Sequence, residues 1–420
     1  MKMYGEIITI GDELTSGRTV DLNSWYAAGR LTASGLGVIR VTSVGDDDEM
    51  VSKALKRASA SSRFVIVTGG LGPTEDDMTC EIAAHALNRP LRLDRQMLEK
   101  IREYVALRGM EMTPFFEKMA YMPKGARMLN PEGETCGFSV EAEDVRFYFL
   151  PGVPEQTRHL MDTVVLPELL RLYERLPVMG QRVIKVYGID EIRIAQNLRS
   201  IRGKTEGVIL GFYPNFPETH ITLSLKGSDK EAVTARLGAV AGEIKRTLGG
   251  YVFSTQGETM EAVVGRLLLE KGLTIAVAES CTGGLIGHRL TNVPGSSSYV
   301  EGGVIAYSNY LKTALIDVNE KTLKQHGAVS RETAREMAQG VCRRTGSLLG
   351  LAVTGIAGPD GGSKEKPVGT VYLGLSHADG LYSEGYRFRG NREQVKQNSA
   401  AMALDWIRRH LNGDPFLPGI

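Results

Sequence analysis

A chain of 420 residues is too long for one ordinary domain, and its 42% hydrophobic content supports two or three packed cores. A formal net charge of +1 supplies no field to hold a polyanion, which argues against a nucleic-acid binder but leaves small phosphorylated ligands that need only a local cradle. The four cysteines form no C-x-x-C pair, no signal pattern opens the chain, and no apolar run reaches the ~18 residues of a membrane span. The expectation is a soluble, cytoplasmic protein with reduced thiols, no membrane contact and no direct nucleic-acid partner.

Residues 1–90 alternate strand and helix. Tyr4–Ile10, Val38–Val44 and Phe64–Thr68 read as strands, and Leu22–Leu31, Met50–Ala60 and Asp76–Leu87 as helices. That alternation predicts a doubly wound parallel sheet, in which ligands bind beyond the carboxyl ends of the strands. Three polar loops fall there: G-D-E-L at 11–14, G-D-D-D at 45–48 and T-G-G-L-G-P-T-E-D-D at 68–77. Asp12, Asp46, Asp76 and Asp77 would then converge beside the turn of Gly69, Gly70, Gly72 and Thr74. Such a set suits a divalent cation bridging to a phosphate, with glycine N–H groups on the phosphate oxygens. The competing reading is that Asp76 or Asp77 simply caps the next helix.

Residues 176–250 change character. Val183–Tyr187, Val208–Tyr213 and Ile221–Leu225 read as strands, Glu191–Arg199 and Lys230–Leu248 as helices. This small α+β unit carries no G-x-x-G clamp, so RNA binding is not supported. A spacer or a dimer-forming role suits it better.

Residues 255–415 form a third block, with strands at Leu273–Ala278, Val304–Tyr307, Leu349–Thr354 and Thr370–Leu375. Ser330 precedes a helix as an N-cap, and Gln394–Leu411 packs through Ala401, Leu404, Trp406 and Ile407. The stretch Ala278 to Lys312 collects the ingredients of an acyl-transfer site. Ser280, Ser296, Ser297 and Ser298 offer hydroxyls, while Lys312 and Tyr307 offer groups that move protons. Gly283 and Gly284 after the strand would leave N–H groups free at a helix start, where negative charge is held. Cys281 reads as a small packing residue. Downstream, the loop 354–370 has five glycines; it either brings backbone close to a ligand or forms a lid, and composition leaves both open.

Together these motifs resemble the competence/damage-inducible protein A (CinA) family over essentially the whole chain. G-D-E-L-x-x-G with Asn23, G-G-L-G-P-T-x-D-D-x-T and P-G-V-P-E at 151–155 resemble the family's molybdopterin-binding-type domain. P-E-G-E-T-C-G at 131–137 departs from the family's A-P-G ending, with Thr135 and Cys136 in its place. A-E-S-C-T-G-G, G-S-S, Y-S-N-x-x-K, H-G-A-V-S at 326–330 and T-G-I-A-G-P-D-G-G-S-x-E-K-P-V-G-T resemble its C-terminal domain.

The resemblance implies an α/β protein of three parts: a doubly wound molybdopterin-binding-like domain at 1–172, a small KH-like α+β domain at 173–252, and an α/β nicotinamide mononucleotide (NMN) deamidase domain at 253–415. It implies a homodimer that hydrolyses NMN to nicotinic acid mononucleotide and ammonia without a cofactor. In the first domain it implies an ADP-ribose pyrophosphatase that uses magnesium, manganese or cobalt, with Asp46 and Asp77 as the metal-binding pair. It assigns Ser297 as nucleophile and Lys312 as base; Tyr307 could then relay the proton or orient the amine, and Ser280 would hold the substrate or the oxyanion. Thr282, Gly283, Gly284, Thr354, Gly355 and Gly358 would line the substrate, and Arg392 would take its phosphate. Lys312 works as a base only when burial or a neighbouring cation depresses its ordinary pKa of ~10.4. Because nucleophile, base and loop share one block, a fragment starting near Gly257 is expected to deamidate alone. The alternatives are a non-enzymatic adaptor in DNA uptake or damage response, and a first domain that binds a pterin or nucleotide without hydrolysis.

Overall fold

In the computed structural model, which describes residues 4–131, 137–173, 177–378 and 380–419, the chain divides into two bodies. One comprises 1–180 with 226–233, the other 181–225 with 234–420. Thr135 and Cys136 lie outside the described residues.

The first body is built on β1 (Tyr4–Ile10), β2 (Gly37–Val44), β3 (Phe64–Thr68), β4 (Leu91–Leu93), β5 (Tyr121–Pro123), β6 (Arg127–Met128), β7 (Phe138–Ala142) and β8 (Val145–Leu150). Its helices are α1 (Asp12–Thr15), α2 (Leu22–Ala33), α3 (Asp48–Ser61), α4 (Thr79–Ala86), α5 (Arg95–Leu107), α6 (Pro114–Lys118), α7 (Pro154–Leu160) and α8 (Leu166–Leu172). Six strands pair in the order β2-β1-β3-β8-β7-β6. The first four run parallel and the last two antiparallel. The central strands are largely apolar because helices cover both faces, with Glu6 and Thr9 the buried polar residues of β1. Val51, Leu55, Ile82, Leu98 and Ile101 from α3, α4 and α5 pack on one face; Ala27, Leu31, Leu160 and Leu169 from α2, α7 and α8 pack on the other. The doubly wound architecture is therefore the observed one. Sequence reading passed over α5, whose cap Asp94 accepts from the Met97 N–H in a D-R-Q-M start.

The KH-like unit, most of which belongs to the second body, is made by β9 (Val178–Val186), α9 (Glu191–Leu198), β10 (Ile209–Asn215), β11 (Glu218–Gly227), α10 (Lys230–Leu248) and β12 (Val252–Ser254), its sheet ordered β10-β11-β9-β12. Next come α11 (Met260–Lys271), β13 (Ile275–Glu279), α12 (Leu285–Thr291), β14 (Val300–Ile305), α13 (Asn309–Ile316), α14 (Glu320–His326), α15 (Arg331–Thr345), β15 (Leu349–Gly355), β16 (Thr370–His377), β17 (Gly380–Arg387) and α16 (Arg392–Asn412). The five strands order as β14-β13-β15-β16-β17, with β14, β13 and β15 parallel and the last two antiparallel. Ser330 caps α15 as its sequence suggests, accepting from the Thr333 N–H at 3.2 Å. Among the described residues no helix is long and apolar enough to cross a membrane.

The KH-like unit and the last block share one core. Tyr187 and Phe253 pack with Trp406 and Leu417, and the Tyr187 hydroxyl donates to the Asn398 carbonyl. On α16 the buried Asp405 accepts from Arg408 and Arg409, and both guanidinium groups also donate to the Gly250 carbonyl, at 2.6 and 2.8 Å. A fragment beginning at Gly257 removes that carbonyl, leaving two buried cations each short of an acceptor. Charged hydrogen bonds contribute about 1.5–3 kcal/mol each, so the Gly257 fragment should be less stable than one beginning at Gln181 by about 3 kcal/mol or more. Comparing their urea midpoints checks this; equal midpoints would show that the shared core contributes nothing.

Candidate active site

Parallel β13 and β15 deliver their carboxyl ends to one edge of the second body's last sheet, and the Ser280 N–H donates to the Val353 carbonyl there. The chain leaves β14 at the same edge, turns at Ala306–Ser308 and enters α13, whose first turn carries Lys312. That short return drives the Lys312 side chain inward until it is 1% exposed. Its Nζ lies 3.0 Å from Ser280 Oγ, 2.7 Å from the Ala306 carbonyl and 3.2 Å from the Tyr307 carbonyl. Desolvation lowers its pKa to about 8.

The charged amine donates to all three oxygens, and the neutral amine is accommodated by the same three contacts. A neutral amine has two N–H groups and one lone pair; the two carbonyls take the N–H groups, and the lone pair is left facing the Ser280 hydroxyl. Cys281, next in sequence, is no competitor as a nucleophile: burial pushes its thiol up to about 12.

Ser297 is elsewhere. Ile275 pairs with Val300 at the entering ends of β13 and β14, and Glu279 pairs with Ile305 at their leaving ends. Ser280 comes directly after Glu279, whereas Ser297 stands before Val300, exposed, in a single 3₁₀ turn with Ser296 and Ser298. The length of β14, about 16 Å at 3.3 Å per residue, separates the two edges. The expected pairing of Ser297 with Lys312 is therefore corrected: a strand puts the segment that enters it and the segment that leaves it at opposite edges of the sheet.

The free anion cradle expected at Gly283 and Gly284 is also corrected. The Gly283 N–H donates to the Ser280 carbonyl. The N–H groups of Gly284, Ile286 and Gly287 donate to the buried Glu279 carboxylate at 3.0, 3.1 and 2.8 Å. An internal anion thus fills the start of α12. The N–H groups of Cys281 and Thr282, which follow Ser280 directly, donate to no backbone carbonyl among the described residues. Thr282 is fully buried, and its hydroxyl has no partner among the described residues.

Tyr307 is tied to the site differently from a proton relay. Its carbonyl faces Lys312, while its exposed phenol accepts from Arg392 Nη2 at 3.1 Å. Arg392 Nη1 donates to the Gly358 carbonyl at 2.6 Å, so this arginine links the glycine loop to Tyr307. Thr354 Oγ1 donates to the Ala328 carbonyl, fixing H-G-A-V-S beside the strand end that Gly355 closes. Sequence reading missed two residues. One is Glu279, the E of A-E-S-C-T-G-G. The other is Lys396, whose ammonium would lie 3.9 Å from a side chain built on Gly283. Lys396 stands four residues after Arg392 on the same helix face, which was the available signal.

In the first body the polar loops gather as expected, but with different pairings. The Asp12 N–H donates to Asp46 at 2.9 Å and the Asp46 N–H returns to Asp12 at 3.2 Å. Burial first, and then the charges of Asp12, Glu13 and Asp76, raise the Asp46 pKa. Asp77 turns back within its own loop and accepts from the Thr74 N–H and hydroxyl. Neither Asp76 nor Asp77 caps α4, whose N-cap is Met78. Gly69 and Gly70 have positive φ, and a side chain on Gly69 would meet the Ile10 carbonyl at 2.1 Å, so only glycine lets this turn close on β1. A side chain on Gly72 would meet the Asp77 carboxylate at 2.4 Å. Asn23 donates to the Gly152 carbonyl of P-G-V-P-E at 2.7 Å. Among the described residues no three metal-ligating side chains stand together. The Asp12 and Asp46 pair nevertheless fits a magnesium-like cation, which needs one or two carboxylates when the ligand's phosphates supply the rest.

Three family models match the chain: the probable molybdopterin binding domain at 6–171, the damage-inducible protein CinA KH domain at 181–254 and the CinA C-terminal domain at 257–411. The CinA-like protein of Desulfotalea psychrophila is 41% identical over 97% of this chain and 99% of its own length. That of Geobacter sp. (strain M21) is 42% identical over 99% and 100%. The crystal structure of competence/damage inducible protein CihA from Agrobacterium tumefaciens is 37% identical, covers 38% of this chain and 99% of its own, and has a TM-score of 0.35. With such relatives matched from end to end, the chain belongs to the CinA family.

Proposed function

We propose that the second body is an amidohydrolase in which Ser280 is the nucleophile and Lys312 the base, converting NMN to nicotinic acid mononucleotide and ammonia. The observation that carries this reading is the buried contact between Lys312 Nζ and Ser280 Oγ. The choice of NMN rests on the family resemblance. Ser280 Oγ attacks the carboxamide carbon as its proton passes to Lys312. The N–H groups of Cys281 and Thr282 are the donors available to the oxyanion. Lys312 then protonates the departing nitrogen, ammonia leaves, and an ester on Ser280 remains. Water, deprotonated by Lys312, hydrolyses the ester, releasing the acid and restoring Ser280. Measuring ammonia from NMN with purified protein tests the reading; none released at saturating substrate rejects it.

The base must be neutral, which fixes the sign of the pH dependence. With a pKa of about 8, roughly a tenth of Lys312 is neutral at pH 7. Accordingly kcat/KM should climb about tenfold per pH unit up to pH 7 and level off above about 8. A profile flat between pH 6 and 9 would remove Lys312 as the base.

The reciprocal Asp12 and Asp46 bonds favour a second reading for the first body, that of a divalent-cation-dependent ADP-ribose pyrophosphatase. Asp12 and Asp46 would hold magnesium, manganese or cobalt, which supplies charge neutralisation at the pyrophosphate. Asp46→Asn should lower ADP-ribose hydrolysis by at least about 100-fold and leave ammonia release from NMN unchanged. If wild-type protein never cleaves ADP-ribose with any of the three cations, the loops serve binding alone.

A further inference from the structure

A cavity of about 370 Å³, lined by Val368, Arg387, Phe388, Arg389 and Gly390, takes no part in the chemistry above. It lies on the sheet edge that carries Ser280. Thr354 pairs with Tyr372 and Gly355 with Val371, while Thr370 pairs with Arg387, so the end of β17 reaches the same edge as the end of β15. Three interstrand steps of about 4.8 Å put β17 about 14 Å from the strand that presents Ser280.

Its wall is fixed. The Phe388 N–H donates to the Gly369 carbonyl at 2.9 Å, and Gly369 is pressed so closely to the Phe388 carbonyl that a side chain there would meet it at 1.9 Å. The Phe388 ring stacks on Tyr386. Arg387 and Arg389 differ from the arginines around them. Arg331 is paired with Glu384, and Arg392 is anchored through two of its N–H groups to the Gly358 carbonyl and the Tyr307 hydroxyl. Arg387 and Arg389 are exposed, and among the described residues neither guanidinium has an acidic or hydrogen-bonding partner. Two unneutralised guanidinium groups on one cavity wall form a fork for a phosphate.

We propose that this cavity binds the phosphate of a mononucleotide whose carboxamide lies at Ser280, with Arg387 and Arg389 as the specificity-determining contacts. The proposal rests on the amidohydrolase reading and deepens it: the enzyme selects the nucleotide over the free nucleoside by this contact, while Arg392 organises the loop between. Calorimetry on the full chain tests it, in a Ser280→Ala background that leaves NMN intact. Arg387→Gln/Arg389→Gln should weaken NMN binding about 10- to 100-fold, leave nicotinamide riboside binding unmoved, and abolish competition by inorganic phosphate. Equal losses for NMN and riboside would mean a structural role, and unchanged NMN binding would place the phosphate elsewhere; either overturns the proposal. The two readings fail separately. Should wild-type protein release no ammonia while the arginine pair still governs phosphate binding, the amidase reading falls and the anion site stands. Ammonia release with arginine-independent NMN binding does the reverse.

Discussion

Ser280→Ala should abolish ammonia release from NMN, lowering kcat by at least about 10³-fold, while Ser297→Ala changes it by less than about twofold. The contrast comes from the sheet edges: Ser280 meets the Lys312 amine at 3.0 Å, and Ser297 stands beyond the other end of β14. Lys312→Met should be as damaging as Ser280→Ala, and the double variant no worse than either, because nucleophile and base act as one unit. Substrate should still bind all three, so the loss falls on kcat. A large loss in Ser297→Ala with intact folding would return the nucleophile to the G-S-S turn.

The second large effect is expected on stability. The Glu279 carboxylate is 2% exposed and accepts three N–H groups at the start of α12. Glu279→Ala leaves those donors without an acceptor and opens a gap beneath the Ser280 turn. Removing one member of a buried charged network costs about 3–5 kcal/mol, so the unfolding of the second body should move to clearly lower temperature. Glu279→Gln keeps one acceptor oxygen and should fall between. Since Ser280 is the next residue in the chain, the alanine variant should also lose activity at temperatures where it remains folded. An unshifted melting curve for Glu279→Ala would show that the helix start is satisfied in another way.

Much of this was legible from sequence, for identifiable reasons. Strands β1 and β3 announce themselves because a parallel strand covered on both faces is mostly apolar, as I-I-T-I and F-V-I-V are. Lys312 was legible as a candidate base from its place in Y-S-N-x-x-K, and burial lowers its pKa in the direction that role requires. Which serine meets Lys312 was not legible, because choosing among four requires knowing at which edge each strand is entered. Separation in sequence misleads here: Ser297 is fifteen residues from Lys312 and Ser280 thirty-two, yet only the latter shares its edge. The glycine turn looked like an open anion cradle because nothing in a one-dimensional pattern shows Glu279 folding back under the helix it precedes. Strand β17 was passed over because L-Y-S-E-G-Y-R alternates too weakly to mark an edge strand. Its Arg387 therefore went unnoticed.

The central claim, that Ser280 forms the covalent bond with Lys312 as its base, is tested most directly by acid-quenching the enzyme during NMN turnover and mapping the acylated peptide by mass spectrometry. The expected result is a nicotinoyl-mononucleotide ester on Ser280, absent from the Lys312→Met protein. An adduct on Ser297, or on the Cys281 thiol, would contradict it.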